Sequence, residues 1–144
     1  QPMNIGFIYA IGAAVVWGLV YAIDQKILSD IKPLALLFVG SVLTAIIMLP
    51  FLFFDNGSIK TLIGSGKKIW TLIIISMTLA ALANFLIYSG IKNLDASTAS
   101  IIEIAYPFFV VLFSYIIFKS TPNIYFFLCG ILIIAGTFII IKLD

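Results

Sequence analysis

ASTASIIEIAYPFFVVLFSYIIF, residues 96–118, carries one formal charge, Glu103, in an otherwise uncharged run. A membrane-crossing helix needs about 20 apolar residues to traverse roughly 30 Å of hydrocarbon. The stretch meets that length. Its apolar residues also follow one another without the out/in alternation of a membrane strand. The segment therefore predicts a transmembrane helix. Pro107 has no N–H, so the carbonyl of Glu103 loses its helical partner and a kink is expected there.

Working outward, the charges divide the rest of the chain in the same way. Uncharged runs occupy residues 3–23, 34–54, 69–91 and 124–141. Asp24, Lys26, Asp30 and Lys32 mark one loop, and DNGSIKTLIGSGKK (55–68) is a polar, Gly-rich connection. Lys92–Asp95 and Lys119–Asn123 are short turns. The expected fold is an all-α membrane protein, a single unit over residues 1–144 with five transmembrane helices. No linker is long enough for a soluble domain. The first run is too long for a cleaved signal sequence and lacks a basic leader. Gln1 and Pro2, ahead of the first Met at position 3, read as a remnant of cloning.

Composition agrees. Of the 144 residues, 63% are apolar and 10% charged, and the mean hydropathy is +1.25. Soluble domains carry nearer a quarter charged residues, so a water-facing globular enzyme and a disordered chain are both excluded. There is no His and a single Cys, Cys129. Neither a disulfide framework nor a metal site is expected. The net charge of +2 comes from scattered lysines, with no Arg, so no nucleic-acid surface is expected. No nucleophile–base set, phosphate-cradling loop or carboxylate pair suggests an enzyme, and no cofactor is expected.

The lysines give no clear orientation. Lys60, Lys67, Lys68 and Lys119 fall on one side, and Lys26, Lys32, Lys92 and Lys142 on the other. This balance fits a topology fixed by subtler signals. It equally fits a chain that inserts both ways and pairs with its inverted copy.

Glu103 is the most informative residue. At about 1.5 Å per residue it stands roughly 10 Å into the membrane. A carboxylate there costs a few kcal/mol on insertion scales and must face protein or a wet cavity. It is the candidate proton or cation-coupling group, although a packing role by hydrogen bonding to another helix accounts for it as well. Ser100, Glu103, Pro107 and Ser114 share a helix face, flanked by Tyr106. In the third run Asn84, Tyr88 and Lys92 recur at helical spacing; such polar groups line pathways or hold helices together. In the first run Trp17 is deep enough to stack on a solute, whereas Tyr21 reads as an interface anchor. Ala10, Ala14, Gly18 and Ala22 form a small-residue stripe expected to pack against another helix. Gly130 and Gly136 mark a packing or dimer face. The candidate solute-binding residues are Trp17, Asn84, Tyr88, Ser100 and Tyr106.

Three stretches together resemble one half of an EamA-type transporter of the drug/metabolite transporter superfamily. They are Ala13–Gly18 with Tyr21-Ala22, Asn84–Leu94 running into Ala96–Ile101 and Tyr106-Pro107, and Gly130–Gly136. The resemblance covers nearly the whole chain. It departs where family members often have Gly-Glu, here Lys119-Ser120, and where many have an Arg, near Phe38–Ser41. The resemblance implies half of a ten-helix inverted-repeat fold. It further implies a small-solute (drug or metabolite) carrier in a prokaryotic inner membrane, working by alternating access and exporting its solute. Two copies in an antiparallel homodimer would supply ten helices. A non-transporting membrane subunit and a flippase for a lipid-linked intermediate are the alternative readings.

Overall fold

The computed structural model describes residues 5–143. Met3 and Asn4, expected to open the first span, lie outside the described residues, as do Gln1, Pro2 and Asp144. The described chain is helical: α1 (Ile5–Asp30), α2 (Pro33–Phe54), α3 (Ser58–Gly64), α4 (Gly66–Asn93), α5 (Ala96–Glu103), α6 (Tyr106–Phe118) and α7 (Ile124–Leu143). Five segments are long and apolar enough to cross a membrane: α1, α2, α4, α5 with α6, and α7. Most of their large apolar side chains are exposed. That suits a chain whose outer solvent is hydrocarbon.

Local chemistry sets the helix ends. Lys32 is extended before Pro33, as the ring of a following proline requires, and Pro33 starts α2 where no N–H is needed. Pro50 lies inside α2 without ending it. Gly66 adopts φ +78° at the start of α4. Its added Cβ would meet no atom within 4 Å, so glycine serves backbone conformation there and not space. Lys119 closes α6 in the left-handed region at φ 56°.

Two boundaries differ from the charge-based expectation. The loop expected from Asp24 to Lys32 is mostly helix, because α1 runs on to Asp30. Charged side chains bar a segment from hydrocarbon but do not end a helix. The polar connection 55–68 likewise holds α3 and the first turn of α4. Asp55 begins that stretch by accepting hydrogen bonds from the Gly57 N–H and the Ser58 hydroxyl.

The core lies where α1 and α4 end and α5 begins. Leu28, Ile91, Ala96 and Ala99 are buried together, with Tyr21, Leu36, Ile87 and Tyr88 packed around them. The alanines let the backbones approach; a Cβ on Gly90 would already reach Ala99 Cβ at 3.8 Å. Full burial of a Leu or Ile contributes roughly 1.5–3 kcal/mol where water is the alternative. Within hydrocarbon that force vanishes, and packing and hydrogen bonds hold the helices. Three polar links reinforce this junction. Lys92 Nζ donates to the carbonyls of Leu28 (2.8 Å) and Ile31 (3.2 Å), satisfying acceptors that the end of α1 leaves open. The Ala96 N–H donates to Gln25 Oε1 at 2.7 Å. Asp95 caps α5, accepting from the Thr98 N–H (2.9 Å) and hydroxyl (2.7 Å). The α6–α7 pair packs on this group through α5 and α7, where the Thr137 hydroxyl donates to the Ile101 carbonyl at 3.3 Å.

The Asp95 cap makes a pH prediction. The Thr98 N–H, then its hydroxyl, hold the carboxyl below the usual aspartate range. A lowered value in the folded state gives stability that is complete above the ordinary aspartate value, about 4. That stability fades as pH falls through the lowered value. Asp95→Asn is expected to keep the cap and lose this acid dependence, and Asp95→Ala to lose both. Thermal midpoints at neutral and acid pH check it.

Candidate functional site

The fourth span breaks at Ile104–Ala105, between α5 and α6. The Ala105 N–H bonds Ile102 (3.3 Å) and the Phe108 N–H bonds Ala105 (3.1 Å), so the regular ladder lapses. Pro107 lies in the first turn of α6, where its missing N–H is tolerated. The break ends the common face expected for Ser100, Glu103, Pro107 and Ser114. Ser100 and Glu103 turn toward α1, whereas Pro107 borders a groove between α6 and α7. Ser114 lines neither.

A cavity of about 680 Å³ opens between α1, α4, α5 and the start of α6. Trp17, Asn84, Ser100, Glu103 and Tyr106, chosen from sequence on four different helices, all line it. The volume is ample for a drug-sized molecule. Ala10, Ala14 and Gly18 of the small-residue stripe form part of its wall. Helix packing is the role expected for those three; among the described residues a Cβ on Gly18 would meet nothing within 4 Å. Small side chains here leave room beside the helix, the same property that elsewhere lets a neighbouring helix approach.

Tyr21 is also part of this wall, and its hydroxyl donates to Glu103 Oε2 at 2.7 Å. It is therefore no plain interface anchor. The bond joins α1 to α5 across 82 positions of sequence, and it gives the half-buried carboxyl a charge-assisted partner. Trp17 packs edge-on against the Tyr21 ring, with centroids 5.6 Å apart, which orients both. The result is an aromatic pair ending in a carboxyl, in a cavity that Asn84 and Ser100 also line. Such a surface suits a solute with an apolar or aromatic body and a polar or cationic end.

Glu103 and Tyr106 also border a second cavity, of about 390 Å³, lined mainly by α4 and α5 through Leu86, Ile87, Gly90 and Ile102. The carboxyl thus stands between two openings. Tyr88, expected among the solute contacts, lies apart from the larger cavity and packs against the Leu28–Ile91 core. It sits one turn beyond Asn84, at the level where α1, α4 and α5 converge. Gly130 is buried, and a Cβ there would lie at ordinary contact distance, 3.5 Å, from the Phe108 ring of α6. Gly136 has open space beside it. Among the described residues no group of three or more His, Cys, Asp or Glu could hold a metal ion.

Reading the sequence by charge missed Asp24, which it placed in a loop. The residue is on α1 and buried, at 6% exposure. A signal was present: Trp17, Tyr21, Asp24 and Leu28 follow one another at helical spacing on one face.

The family model of the EamA-like transporter family matches residues 4–142. No curated protein and no solved structure matches the chain.

Proposed function

Since the chain belongs to the EamA-like transporter family, and is thus a multi-pass membrane transporter of small solutes, we propose that the α1–α4–α5 cavity is its solute site. Trp17 and Tyr106 offer aromatic surface, Asn84 and Ser100 offer hydrogen bonds, and Glu103 is the proton or cation-coupling group. The observation that carries this reading is the convergence of these residues, from separate helices, on one cavity containing a Tyr21–Glu103 hydrogen bond. A carboxyl in contact with the solute space can hold a cation or face the solute. Mutual exclusion of the two is the simplest form of exchange coupling.

The proposed carrier exports a drug or metabolite from a prokaryotic cell, across the inner membrane, by alternating access. Glu103 lines both cavities and lies next to a helix break, where a shift of α6 against α5 would change its surroundings. The working unit is an antiparallel homodimer, favoured by the even division of lysines between the two sides. The reading is tested by a thermal-shift screen of the purified protein with drug-like and metabolite compounds. Binding raises the midpoint by mass action. Compounds that stabilise wild type and not Trp17→Ala, and that move in proteoliposomes, support it. If no compound is both bound and moved, the cavity is not a solute site.

A further inference from the structure

α1 presents a second carboxyl, one the cavity does not use. Asp24 lies between Tyr21, on the cavity wall, and Leu28, sealed in the core. It is 6% exposed, and its Oδ2 is buried with no hydrogen-bond partner among the described residues. The titratable groups close enough to sense it are Tyr21 on its own helix and Tyr88 on α4. Lys92 of α4 donates to the Leu28 and Ile31 carbonyls. α5 brings Glu103, which accepts from Tyr21, and its cap Asp95, engaged by Thr98. α2 contributes no ionisable side chain. The carboxyl is therefore buried beside α4 with no cation bonded to Oδ2 among the described residues.

A buried carboxylate without a partner is strongly disfavoured, so the packed arrangement calls for a positive ligand at this oxygen. A divalent ion needs six or more oxygen ligands, commonly from several carboxylates. Asp24 belongs to no such group among the described residues. One carboxyl flanked by two phenols suits a single positive charge. We propose that Asp24 binds a small monovalent cation, a proton or an alkali ion, held while α1, α4 and α5 are packed together and released when they part. Occupancy of Asp24 then stabilises this arrangement by mass action. The solute reading of the cavity is not required, because a chain that moved no solute could hold the same cation.

Thermal midpoints of the full chain in detergent test this in two arms. One varies pH in choline buffer. The other varies NaCl at fixed pH, with choline chloride keeping ionic strength constant. A proton site raises the midpoint as pH falls. An alkali site raises it with NaCl. In either case Glu103→Gln removes any contribution of the cavity carboxyl and retains the remaining response, and Asp24→Asn in the same Glu103→Gln background, which resembles the loaded group, loses that remainder. A Glu103→Gln variant insensitive in both arms, or a double variant responding as Glu103→Gln does, overturns the proposal. Should the double variant fail to fold, infrared spectra of Glu103→Gln in D2O decide. A carboxyl band that responds to pH or NaCl and is shielded from rapid exchange supports the site; only rapidly exchanging carboxyls would overturn it.

Discussion

Glu103→Gln is expected to leave the protein folded and to abolish gradient-driven accumulation of solute. Glutamine preserves the shape of the side chain and can still accept from the Tyr21 hydroxyl, now 2.7 Å from Oε2, but it cannot bind and release a cation. A carrier without the coupling group can equilibrate its solute and cannot concentrate it. One elementary charge moving through 100 mV supplies about 2.3 kcal/mol. At about 1.4 kcal/mol per tenfold, that sustains a solute gradient of roughly 50-fold for one charge per neutral solute. Proteoliposomes of wild type should approach such a gradient, and those of Glu103→Gln should show equilibration only. Tyr21→Phe keeps the carboxyl and removes its donor. Hydrogen bonds to charged groups are worth about 1.5–3 kcal/mol, so its loss of coupled transport should be on the order of tenfold or more. A Glu103→Gln variant that accumulates solute as wild type does would remove the residue from coupling.

The second large effect comes from filling the cavity. Gly18 borders it with no atom within 4 Å of an added Cβ, so Gly18→Ala should transport nearly as wild type. Gly18→Trp sends a large ring into space the solute needs. Uptake should fall by at least about tenfold, equivalent to roughly 1.4 kcal/mol in the limiting barrier, while thermal stability is kept. The contrast separates a cavity role from a packing role. A tightly packed stripe would be damaged already by Ala and would lose stability with Trp. Uptake at a fixed gradient, measured beside the thermal midpoint, reads both.

The five spans were legible because hydrocarbon imposes one crude requirement, a long run without charge, and the sequence states it openly. The proline break was legible for a similarly local reason, the missing N–H of Pro107. What sequence could not supply was the partner of each polar residue. Tyr21 looked like an interface anchor because its hydrogen bond reaches a residue 82 positions away. Tyr88 and Asn84 share a helix face, yet they separate because α1, α4 and α5 converge between their levels. The alanines and glycine of α1 fit packing and a cavity wall equally, since small side chains signal close approach and open space alike. Asp24 escaped because the first charge after an apolar run was equated with the end of the helix. Its burial depends on Leu28, Ile91 and the start of α5 closing over it, which no local pattern records.

Water access tests the carrier most directly. With Cys129 replaced by Ser, single cysteines at Ser100 and Asn84 are to be exposed to a charged, membrane-impermeant thiol reagent in sealed vesicles. Both positions line the cavity. If the cavity is a solute path, both cysteines react, and a bound solute slows them. If neither reacts while a cysteine in the 55–68 connection does, the polar groups around Glu103 only hold helices together, and the protein does not carry solute through this site.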